Sequence, residues 1–279
     1  MKISLITLFP KMISSFFNES IVKKAVDKKL VEIDIVNLRD FAYDKRGSVD
    51  DRVYGGGKGM IIRVDVVYKA LSQIFNFQFS IFKKFKNKKS APPFARSGAN
   101  LKMTNENSKI ILTSPKGKVF TQKKAVEYSK LNHLVIIAGH YEGVDERVRN
   151  FIDEEVSMGD FVMTGGEITA AAISDSVVRL IPGVLDKEAT EKESFSEYEI
   201  DYLISMIGEN DILKKLKEKK VKKVKLLEYP QYTRPEEFKG WKVPKVLLSG
   251  NHKEIEKWRI KKAWEETVKR RDDLLNLLF

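Results

Sequence analysis

Four glycines fall within five positions in Asp50-Asp51-Arg52-Val53-Tyr54-Gly55-Gly56-Gly57-Lys58-Gly59-Met60. Residues without a side chain let backbone N–H groups come close to a ligand. The flanking Asp, Arg and Tyr suit contact with a nucleotide. The run is not a phosphate-binding Walker loop, because Lys58 is followed by Gly59 and not by Ser or Thr. Three further stretches hold chemistry of the same kind: Thr113-Ser114-Pro115-Lys116-Gly117, Gly139-His140-Tyr141-Glu142-Gly143, and Ser157-Met158-Gly159-Asp160-Phe161-Val162-Met163-Thr164-Gly165-Gly166-Glu167. Each follows a strand-like apolar run, so all three are expected to converge on one pocket. Met158, Phe161 and Met163 would pack a flat heterocycle there; as isolated residues they read better as core side chains.

The elements that must carry these loops alternate between strand and helix. Residues 2–8, 31–38, 109–113 and 134–138 read as strands, the last two as short apolar runs between Pro and Gly turns. Residues 11–29 and 165–181 read as helices with one apolar face. This order predicts an α/β domain with a mostly parallel sheet, whose ligands lie beyond the carboxyl ends of the strands. Two segments look inserted, a Phe-rich then polar stretch at 76–108 and a basic one at 198–225. The latter ends in a run with eight lysines and one glutamate at 214–225. From residue 226 the composition shifts to interleaved Pro, Tyr, Trp and basic residues, with a helix over 254–278. The domain expectation is therefore 1–185, a linker or lid at 186–197, and a small, mainly helical C-terminal domain at 198–279.

Composition narrows the partners. Lys and Arg number 51 against 39 Asp and Glu among 279 residues, a net charge of +12. That surplus favours a polyanion, either nucleic acid or an anionic membrane surface. The absence of cysteine excludes disulfides, thiolate zinc sites and a thiol nucleophile, and fits the cytoplasm. The apolar run 3–9 reads as a buried strand and not as a signal peptide, and no run reaches the length of a membrane span.

In order along the chain, Leu8-Phe9-Pro10, the segment 50–60, Ser114-Pro115-Lys116-Gly117, Tyr141-Glu142-Gly143-Val144-Asp145-Glu146-Arg147, 157–167, 179–184, Tyr232-Thr233-Arg234-Pro235, Ser249-Gly250-Asn251-His252 and Trp258-Arg259 match one pattern. With them the chain resembles the TrmD family of tRNA (guanine-N(1))-methyltransferases, of the knotted SPOUT class. The resemblance implies a parallel sheet with a deep trefoil knot between about 110 and 166, and a homodimer with the active site at its interface. The activity implied is methyl transfer from S-adenosylmethionine to N(1) of the guanine immediately 3′ of the anticodon in tRNA.

By the same resemblance the methyl donor is held by Thr113, Ser114, Pro115, Gly139, Tyr141, Glu142, Ser157, Met158, Gly159, Asp160, Phe161, Val162, Met163, Gly165 and Gly166. Magnesium is implied near Glu142. RNA contacts are implied for Asp50, Arg52, Gly55, Gly56 and Gly57, and for Tyr232, Arg234, His252, Lys253, Trp258 and Arg259. Arg179 is the implied guanidinium facing the target carbonyl, and a carboxylate before Ser194-Phe195 is the implied base. The family has aspartate there and this chain has Glu193, one methylene longer; Asp186 and Glu191 are the alternative carriers. Other departures are Val53, Leu112-Thr113, His140 and Thr169, where the family usually has proline, Tyr-Leu, arginine and proline. A non-catalytic or differently targeted knotted RNA-binding protein is the competing reading.

Overall fold

The computed structural model describes residues 1–75 and 107–275. The chain divides into two compact units, Met1–Leu185 and Asp186–Phe279. The expected insertion at 76–108 lies almost wholly outside the described residues.

The first unit is built on a five-stranded, all-parallel sheet of order β2-β1-β6-β5-β7. Its strands are β1 (Lys2–Thr7), β2 (Glu32–Asn37), β5 (Ser108–Val119), β6 (His133–Ala138) and β7 (Glu154–Ser157). Both faces are buried, and side chains alternate between them as the strand pleat requires. Ile3 and Leu5 of β1, Ile111 of β5, and Leu134 and Ile136 of β6 enter one core. Ile6, Ile110, Leu112, Val135 and Ile137 enter the other. The first core is capped by α2 (Ser20–Asp27) through Val22 and Ala25, and by α5 (Glu167–Val178) through Ala170, Ile173, Val177 and Val178. The second is capped by α3 (Val64–Ile74) through Val66, Val67, Ala70 and Leu71. Helix α4 (Gln122–Tyr128) connects β5 to β6.

Two expected elements differ. The helix expected over 11–29 is α1 (Pro10–Ser14), a 3-10 turn (Ser15–Asn18) and then α2, with Glu19 extended and Ser20 at φ +56. Ser14, Ser15, Asn18 and Ser20 offer the backbone local hydrogen bonds that compete with a helix. Strand β5 does not stop at Thr113. It continues to Val119, and its register with β7 slips so that both Thr113 and Lys118 face Val156. Gly117 permits this, since a Cβ there would overlap the backbone of Glu155 and Val156.

The second unit has its own core of Ile200, Leu203, Leu213, Leu216, Val224, Leu226, Ile260, Ala263, Trp264 and Leu275. Around it lie α6 (Lys187–Glu191), α7 (Ile200–Ile207), α8 (Asp211–Glu218), α9 (Lys245–Leu248) and α10 (His252–Arg270), with strands β8 (Ser196–Glu199) and β9 (Lys223–Leu226) antiparallel. The segment 198–225 is therefore not a surface insertion. Leu213 and Leu216 form the buried stripe of an amphipathic α8, and the lysines take its opposite face. Part of the lysine run is paired within the unit, Lys217 with Asp201 at 3.1 Å and Lys223 with Glu199 at 3.7 Å. Helix α10 begins at His252, two residues before the expected start, where Asn251 Oδ1 accepts from Glu254 N. Among the described residues, no helix is long and apolar enough to cross a membrane.

Candidate active site

The Thr113–Gly117 stretch within β5, where the register with β7 shifts, and the loops that follow β6 and β7 come together in space. A cavity of about 300 Å³ opens between them. Thr113, Ser114, Pro115, Gly139, Tyr141, Glu142, Ser157, Met158, Phe161, Val162, Met163, Gly165 and Gly166 line it, so the structure brings together most of the residues expected there. Gly159 and Asp160 stand in the third loop without lining the cavity. Gly159 is needed for the turn, at φ +146, with Ser157 Oγ accepting from its N–H at 3.1 Å.

Close backbone approach fixes the floor. Gly166 N donates to Gly139 O at 2.6 Å, and Gly139 N donates to Thr113 Oγ1 at 3.1 Å. A Cβ on Gly166 would overlap Thr113 Oγ1, and one on Gly165 would overlap His140 and Glu167. The glycines are thus required by packing before any ligand is considered. The opposite wall is apolar and open to solvent: Phe161 is 57% exposed, Val162 86% and Tyr141 45%. Tyr141 also takes φ +58, a conformation that a bulky residue adopts only when its surroundings impose it.

Behind the floor is a group that the sequence did not single out. Glu167 is fully buried; its Oε1 accepts from Thr7 Oγ1 at 2.9 Å, and Oε2 lies 3.4 Å from His140 Nδ1. The His140 ring packs at 4.7 Å on Phe9 and at 4.9 Å on Tyr141. In the sequence His140 stands out as a departure from the family's arginine, and Glu167 only as the close of a Gly-Gly-Glu run. Leu112, Lys116, Val144, Glu155, Thr164 and Thr169 also line the cavity.

The glycine-rich segment forms a hairpin, β3 (Asp50–Arg52) with β4 (Met60–Ile62). It docks on the second loop: Glu142 N donates to Met60 O, Ile62 N to Gly143 O and Asp145 N to Ile62 O, all at 3.0–3.1 Å. Gly59, at φ +91, leaves room for the Glu142 side chain. Arg52 and Gly55, Gly56 and Gly57 are exposed on this hairpin, Tyr54 completely so; Asp50 is half-buried. Arg147 holds the Asp145 carboxyl below the usual carboxylate range by a two-pronged hydrogen bond at 2.6 and 2.9 Å.

Glu142 is the residue expected at a metal. Among the described residues, no group of three or more His, Cys, Asp or Glu is placed to hold one. Arg179 caps the carboxyl end of α5, half-buried, and does not line the cavity. Glu193 belongs to the second unit. There the Ser194–Phe195 segment is tied to β9, Phe195 N donating to Leu226 O at 2.7 Å and Glu228 N to Ser194 Oγ at 3.0 Å.

In the second unit Tyr232 packs against Trp258 with centroids 6.3 Å apart, and the Arg259 guanidinium lies 5.0 Å over Tyr229. Among the described residues, Arg259 Nε is buried without a hydrogen-bond partner. Arg234, His252 and Lys253 are exposed, the last two in the first turn of α10. A lysine at the positive end of a helix costs stability and favours an anion there.

Residues 1–277 match the family model described as tRNA (Guanine-1)-methyltransferase TrmD. A tRNA (guanine-N(1)-)-methyltransferase of Dictyoglomus turgidum is 43% identical over 276 residues, 99% of this chain and 90% of the relative. Proteins of the same name from Mycoplasmopsis synoviae and Bacillus cereus are 41% and 40% identical, again over 99% of this chain and over 97% and 92% of theirs.

Proposed function

The chain belongs to the tRNA (guanine-1)-methyltransferase family, and we propose that it methylates N(1) of the guanine immediately 3′ of the anticodon, with S-adenosylmethionine bound in the cavity at the ends of β5, β6 and β7. The observation that carries this reading is the three-loop cavity. Its glycine floor leaves no room for side chains, and one wall offers Met158, Phe161 and Met163 to an adenine or a sulfonium. The resemblance supports a deep trefoil knot over about 110–166, the stretch that carries β5, β6 and β7. The exposed apolar wall supports a homodimer whose interface completes the site. A tRNA substrate and a chain without cysteine fit the cytoplasm.

S-adenosylmethionine supplies an electrophilic methyl group when bound. The protein's own work is placement and proton transfer. N(1) of guanine carries a proton and attacks only as that proton leaves, so a carboxylate must accept it. Glu193 is assigned that role in the linker 186–197. As the proton departs, charge builds on the neighbouring carbonyl oxygen, and Arg179 is assigned to stabilise it. Among the described residues no group of three or more His, Cys, Asp or Glu gathers at Glu142, so the chain's own residues do not fit a magnesium ion there. Asp50, Arg52 and the glycine hairpin would meet the target nucleotide. Tyr232, Arg234, His252, Lys253, Trp258 and Arg259 would meet the anticodon stem-loop.

The test uses labelled S-adenosylmethionine and unmodified tRNA transcripts carrying guanine or adenine 3′ of the anticodon. Guanine-dependent transfer is expected, lost by at least roughly a hundred-fold in Glu193→Ala and retained in Glu193→Asp. Transfer that survives Glu193→Ala moves the base to Asp186 or Glu191. No transfer by any form, despite binding of donor and tRNA, leaves a non-catalytic RNA-binding protein.

A further inference from the structure

The second unit shows solvent a short hairpin that plays no part in its core. Strands β10 (Glu237–Phe238) and β11 (Trp241–Lys242) are antiparallel, with Phe238 directly opposite Trp241. The turn between them, Lys239-Gly240, has φ +51 and +86. Two successive left-handed residues are what a tight type I′ turn demands, and such a turn holds its strands in one register. Val243 N donates to Glu236 O at 2.9 Å and extends the ladder by one step.

Directly opposed residues share a face of the ribbon. The two rings accordingly stand together, centroids 6.4 Å apart and tilted by 37°. Phe238 is 56% exposed and Trp241 73%, and neither joins the apolar cluster that holds the unit together. Two large rings on a rigid turn contribute little to folding while exposed, and their burial has to be supplied by a partner.

The surrounding charge says which partner. Lys239 Nζ lies 5.5 Å over the Phe238 ring. Between 233 and 245 the cations are Arg234, Lys239, Lys242 and Lys245; the only acids are Glu236 and Glu237, and Glu237 is paired with Lys242 at 3.2 Å. Aromatic faces beside unneutralised cations suit unpaired bases next to phosphates. A base-paired duplex offers the phosphates but keeps its base faces covered.

We propose that the hairpin 237–242 is a base-stacking finger: Phe238 and Trp241 take an unpaired nucleobase of the tRNA loop while Lys239 neutralises an adjoining phosphate. The assignment rests on the tRNA reading above and names a subsite within it.

The test measures binding of the full chain to an unmodified tRNA transcript and to a blunt RNA duplex of similar length, each over a range of salt. Phe238→Ala and Trp241→Ala are expected to weaken tRNA binding by roughly five-fold to a hundred-fold. The salt slope should stay the same, and duplex binding should be untouched. Trp241→Phe keeps a π face and should restore most of the affinity, where Trp241→Leu should not. Lys239→Ala should lower the slope of log K against log salt by about 0.7. Because the rings are exposed, all variants should melt with the parent chain and bind S-adenosylmethionine as it does. Ring variants that bind tRNA normally, or lose tRNA and duplex alike, overturn the finger. So does sedimentation of the ring variants as smaller species, which would assign the surface to a second copy of the chain. Failure of the unsubstituted chain to prefer tRNA over the duplex would instead strike the underlying tRNA reading.

Discussion

Gly166 is where residue type, packing and binding meet most tightly. Its missing side chain is replaced by Thr113 Oγ1 and by the N–H of Gly139, so the first and third loops touch through it. Gly166→Ala would push β5 and α5 apart at the cavity floor. Overpacking of this kind costs about 1–3 kcal/mol. The larger expected effect is on the site: affinity for S-adenosylmethionine should fall by roughly ten-fold or more, since shifts of about an ångström remove close contacts. Titration calorimetry on a variant shown to be folded checks this; undiminished binding would put the donor elsewhere. The glycines were legible because residue type alone restricts what such positions can do; Met158, Phe161 and Met163 were legible only from their place in a loop after a strand. The Thr7–Glu167–His140 group was not. Its members are up to 160 positions apart, and an ordinary Thr, Glu or His carries no sign of a partner that distant.

At the scale of elements, strands β1, β2 and β6 were readable from alternation and from continuous apolar runs, and α5 from its small-residue face. The extension of β5 was not, because Ser114–Gly117 has the composition of a turn; its strand character comes from pairing with β7. In the lysine run the folded helix buries Leu213 and Leu216 and turns Lys214, Lys215 and Lys217 to solvent. Beside β7 lies a small ion network that should set acid stability. Burial pushes the Glu154 carboxyl up, but hydrogen bonds from Lys124 at 2.7 Å and Lys109 at 3.0 Å outweigh it and leave it below the ordinary value. A carboxyl held low in the folded state binds its proton more readily when unfolded. Its contribution is thus full above the ordinary glutamate value of about 4.3 and is lost as pH falls through the folded value. Glu154→Gln should therefore cost about 1–2 kcal/mol at pH 7. In urea titrations the gap from the parent should close towards acid. An equal gap at both ends would mean that the side chain acts by packing and not by charge.

At the scale of the whole molecule, the change of composition at residue 226 falls inside the second unit, Asp186–Phe279, and each unit has a core of its own. What one chain leaves uncovered bears on assembly. Phe161, Val162 and Tyr141 are open at the cavity wall, and Ile168, 57% exposed in the first turn of α5, adds to this apolar surface. Apolar surface of this kind around a site marks a contact. The proposed homodimer would cover it and complete the site from two chains. Ile168→Asp tests this with little risk to folding, because an acidic residue in the first turn of a helix is favourable. Burying an unpaired carboxylate in an interface costs a few kcal/mol, so the dimer dissociation constant should rise by roughly a hundred-fold. In sedimentation at micromolar concentration the parent chain should run at twice the mass of one chain and the variant at the mass of one. Methyl transfer should fall in step with the dimer and recover as protein concentration is raised. A variant that stays dimeric and active would place the interface away from α5. A monomer with full activity at every concentration would show that one chain suffices for catalysis, and that the exposed wall is covered by substrate alone.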